Sequence, residues 1–202
     1  MTRTSNMANH LYIVLPGLAL CTLLALAVWN DVLTRRIPNR LVLLGTLIGL
    51  VMNSVFPLGA GFFSEPSGAV GFLAALGATC LGLATLLPLY AIGAMGAGDV
   101  KLMAMVGAFL GPDGVLGAAL LSLLAGGILA LAIALWTGTL VRVLSNTGNL
   151  LKHTAFRAMS GTGVHIDKPV TPTGKLAYAI AIMSGTCLQI FLSTTTDWSL
   201  LP

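Results

Sequence analysis

Gly93-Ala94-Met95-Gly96-Ala97-Gly98-Asp99-Val100-Lys101-Leu102 places an aspartate and a lysine between two strongly apolar segments. A charge within a bilayer costs about 2.5–3.5 kcal/mol on insertion scales, so an acid in such a setting is a functional-site candidate. Glycines at 93, 96 and 98 lead up to it. They remove side chains where another backbone or an extended peptide must come close.

The rest of the chain reads as membrane protein. Of 202 residues, 56% are hydrophobic and only 8% charged, against about 25% charged in soluble domains. Working outward, the apolar runs predict an all-α, polytopic fold with six spans and a single membrane domain over 1–202. The spans are expected near 11–29, 41–58, 69–92, 94–110, 115–136 and 176–192, each judged against the ~20 residues that cross a bilayer. Val100–Leu110 alone gives only about 16 Å of helix. Either the glycine-rich run extends that span, or the helix is short and shielded by its neighbours. The apolar run after Met1–His10 is long and lacks a small-residue cleavage site, so it is expected to remain as a span. Pro38 should bend the chain between the first two helices. Gly111-Pro112-Asp113-Gly114 reads as a turn, and Gly59–Gly68 as a loop. A polar, basic loop is expected over 138–173.

Charge sorting gives orientation. If the loops alternate sides, Arg35, Arg36, Arg40, Lys101, Arg142, Lys152, Arg157, Lys168 and Lys175 share one side and Arg3 lies on the other. Nine against one places the crowded side in the cytoplasm, with both termini outside. The same sorting accounts for the net charge of +4 without a nucleic-acid partner. Cys21, Cys80 and Cys187 lie apart in apolar segments, and His10, His153 and His165 show no ligand spacing, so no metal is expected.

Only six acids exist, which permits elimination. Glu65, Asp113 and Asp197 fall in outer turns or the tail, and Asp167 in the polar loop. Asp31 and Asp99 remain, both at cytoplasmic helix ends and so at one membrane depth. Two close carboxylates can hydrolyse a peptide bond: one takes a proton from water while the other, protonated, hydrogen-bonds the scissile carbonyl. Like charges within a few Å do not both ionise readily, so the titration belongs to the pair. Other readings stay open for each residue. Asp31 could form a salt bridge with Arg35 or Arg36, and Asp99 could cap the fourth helix.

Two elements resemble the type IV prepilin peptidases, a family of GxGD intramembrane aspartyl proteases. Asp31 followed by Arg35-Arg36-Ile37-Pro38-Asn39 is similar to the family's first catalytic aspartate ahead of an I-P-N element. Gly96-Ala97-Gly98-Asp99-Val100-Lys101-Leu102 is similar to its G-x-G-D-x-K-L with the second. Pro172-Thr173-Gly174-Lys175-Leu176-Ala177 stands where the family has a Pro-aromatic-Gly entry to the last helix, with Thr173 in place of the aromatic. The resemblance implies catalytic roles for Asp31 and Asp99, close approach of substrate at Gly96 and Gly98, and no cofactor. Lys101 would orient Asp99 or meet lipid headgroups; Arg35, Arg36, Pro38 and Asn39 would support the site or anchor topology. It also implies prepilin or pseudopilin substrates, a place in the bacterial inner membrane, and pilus assembly machinery as a partner. Long members carry two C-x-x-C pairs and methylate the new N-terminus. This chain has neither pair, so it resembles the short, peptidase-only forms that serve Flp (tight-adherence) pili.

Two other classes fit parts of the pattern. Paired membrane acids occur in proton- or ion-coupled transporters, although no inverted repeat is apparent here. A non-catalytic pilus-assembly factor would use both aspartates structurally.

Overall fold

The computed structural model describes residues 2–64, 66–138 and 178–195. Five helices order the chain: α1 Thr2–Thr34, α2 Asn39–Val55, α3 Phe72–Ala91, α4 Ala97–Trp136 and α5 Tyr178–Thr195. Among the described residues the fold is all-helical, and two isolated β-bridges tie the α2–α3 connection. Four helical segments are long and apolar enough to cross a membrane, Val14–Thr34, α3, α4 and α5, whereas α2 is shorter. The chain divides into two units, Met1–Gly126 with Ala177–Pro202, and Gly127–Leu176. Of the second, only the end of α4 is described. The loop expected over 138–173 lies outside the described residues from 139 onward, as do Glu65, Asp167 and Asp197.

Several boundaries differ from those expected. α1 does not stop at Trp29 but runs to Thr34, which puts Asp31 inside a helix. It ends because Arg35 turns left-handed (φ 54°) and its N–H closes on Asp31 O at 2.9 Å. That is the C-terminal geometry usually given to glycine. Pro38 then caps α2, its carbonyl accepting from Leu41 and Val42 N–H at 3.1 and 3.3 Å.

The turn expected at 111–114 is instead a kink at one residue. A straight helix of 40 residues would be about 60 Å long, twice the hydrocarbon thickness. Gly111 breaks it with φ 76°, ψ −179°, and Pro112 opens the second arm, where a missing N–H costs nothing. The first arm, 97–110, is the shielded short helix. Leu102, Met103, Met105, Val106 and Ala108 are all fully buried, so apolar residues cover every side of it.

Small residues set how closely the neighbours approach that arm. α2 buries Val42, Gly45, Gly49 and Asn53 along one stripe, and a Cβ on Gly49 would stand 2.9 Å from the Phe109 ring. α3 crosses antiparallel, and a Cβ on Gly82 would stand 2.5 Å from Met103 O. The connection from α2 to α3 is more than a loop. Phe62 is fully buried and edge-on to Phe56, with ring centroids 5.7 Å apart. Gly59 N–H donates to Ala69 O and Gly68 N–H to Gly61 O, at 2.8 and 2.9 Å.

Asn53 fastens this end of the first unit. Its side-chain N–H donates to Ala108 O at 2.8 Å, and its Oδ1 accepts from Val70 N–H at 3.0 Å. Asn53→Leu strands both backbone groups. It is expected to cost about 1–3 kcal/mol, read as a lower Tm in detergent.

Candidate active site

The two acids singled out by sequence come together at the opposite end of the first unit. Asp31 is 8% exposed and Asp99 9%, on a chain where charge is rare. The Asp31 carboxylate lies within electrostatic range of Asp99.

Asp99 sits in the first turn of α4, which begins at Ala97. It is therefore not the N-cap that Gly98-Asp99 suggested but the third helical residue. Its Oδ2 accepts from Gly96 N–H at 3.1 Å while Asp99 N–H donates to Gly96 O at 3.2 Å. The carboxylate half of this arrangement is that of a capping box, with the acid reaching back to the residue before the helix. Gly96 is bare beside the acid, since a Cβ there would lie 3.3 Å from Asp99 Oδ2.

Asp31 is held by a different helix. Its Oδ2 accepts from Ala179 N–H in the first turn of α5, at 3.4 Å. The carboxylate's partner is thus a backbone amide rather than Arg35 or Arg36, whose side chains are exposed. First-turn amides have no partner within their own helix, and the dipole puts partial positive charge there. Each acid therefore faces the N-terminus of a helix, Asp99 that of α4 and Asp31 that of α5.

The remaining motif residues join the two segments. Gly98 lies against Ile37, with a Cβ there 3.3 Å from Ile37 Cβ. Lys101 Nζ donates to Asn39 Oδ1 at 3.1 Å. This lysine binds the Ile-Pro-Asn element, while Pro38 shapes the turn that presents Ile37. Gly98→Val would press a branched side chain onto Ile37 and is expected to cost about 1–3 kcal/mol, read as a lower Tm in detergent.

Sequence reasoning missed the contribution of α5. The Ala179 amide and the Tyr178 side chain beside it line this end, and the Tyr178 phenol lies within electrostatic range of Asp99. A backbone donor leaves no mark in residue type. Pro172–Ala177 lies outside the described residues. Among the described residues, no group of three His, Cys, Asp or Glu side chains is placed to hold a metal.

Comparison with protein families matches residues 18–131 to the type IV leader peptidase family. The matched range contains Asp31, the Ile37-Pro38-Asn39 turn and Gly96–Leu102, and ends before α5. Comparisons with curated proteins and with solved structures found no significant match. More than half of the chain fits that family, and its apolar helices agree with a multi-pass membrane protein. The chain belongs to the type IV leader peptidase family, and so among the proteases whose substrates are prepilins.

Proposed function

We propose that this protein is an intramembrane aspartyl endopeptidase that removes the basic leader of Flp-like prepilins, with Asp31 and Asp99 as its two catalytic residues. One observation carries the reading: two buried carboxylates, drawn from separate motif segments, share one end of the helical unit. One carboxylate takes a proton from water as the oxygen attacks the scissile carbonyl. The other, protonated, donates a hydrogen bond to the carbonyl oxygen and stabilises the charge that develops there. As the intermediate collapses, the carboxylate that took the proton from water gives it to the leaving amine, so the pair ends with the proton it began with. Either aspartate can take either role.

The site faces the cytoplasm in this reading. Arg35, Arg36, Arg40 and Lys101 are exposed at the same end as the acids, as the positive-inside rule requires of a cytoplasmic face. A prepilin with its leader in the cytoplasm and its apolar helix in the inner membrane would bring its cleavage point to this depth. The product is released unmethylated and passes to pilus assembly.

The test uses purified protein in detergent and a full-length Flp-like prepilin, with S-adenosylmethionine supplied as methyl donor and products read by mass spectrometry. A single cut between leader and apolar segment, leaving a free α-amine, is expected. An uncut prepilin, or a methylated product, would sink the proposal.

A further inference from the structure

We propose that Tyr178, seated in a notch at Gly126, is a positioning residue for Asp31. The inference rests on the reading of Asp31 as one of the two catalytic carboxylates. Asp31 Oδ2 meets the protein through Ala179 N–H at 3.4 Å, so the placement of that amide decides where this carboxylate oxygen is held. A bond already this long weakens with little further displacement. Ala179 follows Tyr178 at the start of α5 as described, so whatever holds Tyr178 holds that amide.

Tyr178 is the anchor. Its ring lies directly on Gly126, where a Cβ would stand 2.5 Å from Cε2 and 2.9 Å from Cζ. Its hydroxyl donates to Ser122 O at 3.3 Å. The same seam continues along both helices. Ser122 Oγ donates to Ile182 O at 3.5 Å, Gly185 abuts Ser122, and Gly117 abuts Gln189. Residues 178, 182, 185 and 189 of α5 thus meet 126, 122 and 117 of α4 in antiparallel order. A seam that admits backbones this closely has few alternative registers. Tyr178 is its end nearest Asp31, one residue from the amide that touches the carboxylate. The geometry assigns the ring, rather than the long hydroxyl contact, to the task of holding that turn.

The test compares kcat and KM of purified variants on a full-length prepilin in detergent. Tyr178→Phe keeps the ring and is expected to recover most of the kcat that Tyr178→Ala loses. Tyr178→Ala loses the anchor and is expected to lose about 10²-fold in kcat with KM unchanged, the scale of a ~1 Å misplacement. Gly126→Ala fills the notch and should lower kcat in the same way, which carries the test if Tyr178→Ala does not accumulate. Gly68→Ala disturbs the α2–α3 connection against Pro57 O and Gly59, at the opposite end of the unit from Asp31, and should lower Tm while keeping kcat. Wild-type kcat in both Tyr178→Ala and Gly126→Ala overturns the inference, as does an equal loss in Gly68→Ala. Asp31→Asn in the same series separates the two levels. If it is inactive while the Tyr178 and Gly126 variants are normal, only the positioning role fails. If it cuts at the wild-type rate, the catalytic reading of Asp31 fails, and the inference with it.

Discussion

Asp99→Asn and Asp31→Asn are each expected to slow prepilin cleavage by about 10²–10⁴-fold or more, the range spanned by general acid–base groups. Neither change should disturb the fold. Asparagine has nearly the shape of aspartate, and its Oδ1 can still accept from Gly96 N–H at position 99 or Ala179 N–H at position 31. What is lost is the capacity to take up and release a proton. Tm in detergent and membrane level should therefore stay at wild-type values while the mobility shift of a co-expressed prepilin disappears. Cleavage near the wild-type rate by either variant would remove that aspartate from the chemistry.

The largest stability effect is expected at Gly107. This residue lies on the enclosed first arm of α4, where a Cβ would stand 2.8 Å from the carbonyl carbon of Ala78 and closer still to its oxygen. Those are backbone atoms of α3, and no rotamer change can move them aside. Gly107→Val must push the helices apart along a seam that Gly82 also holds close. That strain should cost about 3 kcal/mol or more, at the upper end for overpacked cores. A fall in Tm and in membrane accumulation measures it. Because the same arm carries Asp99, activity should fall too. An unchanged Tm would show that the α3–α4 crossing is looser than the glycines indicate.

Much of the fold could be read from apolar runs, and the errors have physical causes. Hydropathy marks what leaves water, but it does not say which helices touch or where a helix ends. Asn30 and Asp31 look like the start of a polar turn, yet α1 continues through them to Thr34, and the Asp31 carboxylate finds an amide partner in α5. Gly111-Pro112-Asp113-Gly114 has turn composition, but proline is as well suited to open a helical arm as to occupy a turn. Phe62 and Phe63 sit in a stretch read as loop, and their burial depends on packing that no local pattern records. The two acids that the fold buries could be picked out by elimination, since a carboxylate is costly among apolar residues. The role of α5 was not, because Ala179 contributes only a main-chain N–H. The placement of Asp99 within its helix turned on two residues at a helix start, where composition suits several positions equally.

That Asp31 and Asp99 act as one site is tested most directly by cleavage rates of four purified forms: wild type, Asp31→Asn, Asp99→Asn and the double variant. Groups that work as a unit are strongly non-additive, so removing the second aspartate should cost almost nothing once the first is gone. The expected result is a double variant no slower than either single one. Losses that multiply, with the double variant slower by the product of the two single effects, would mean that the carboxylates act independently and would contradict a shared dyad.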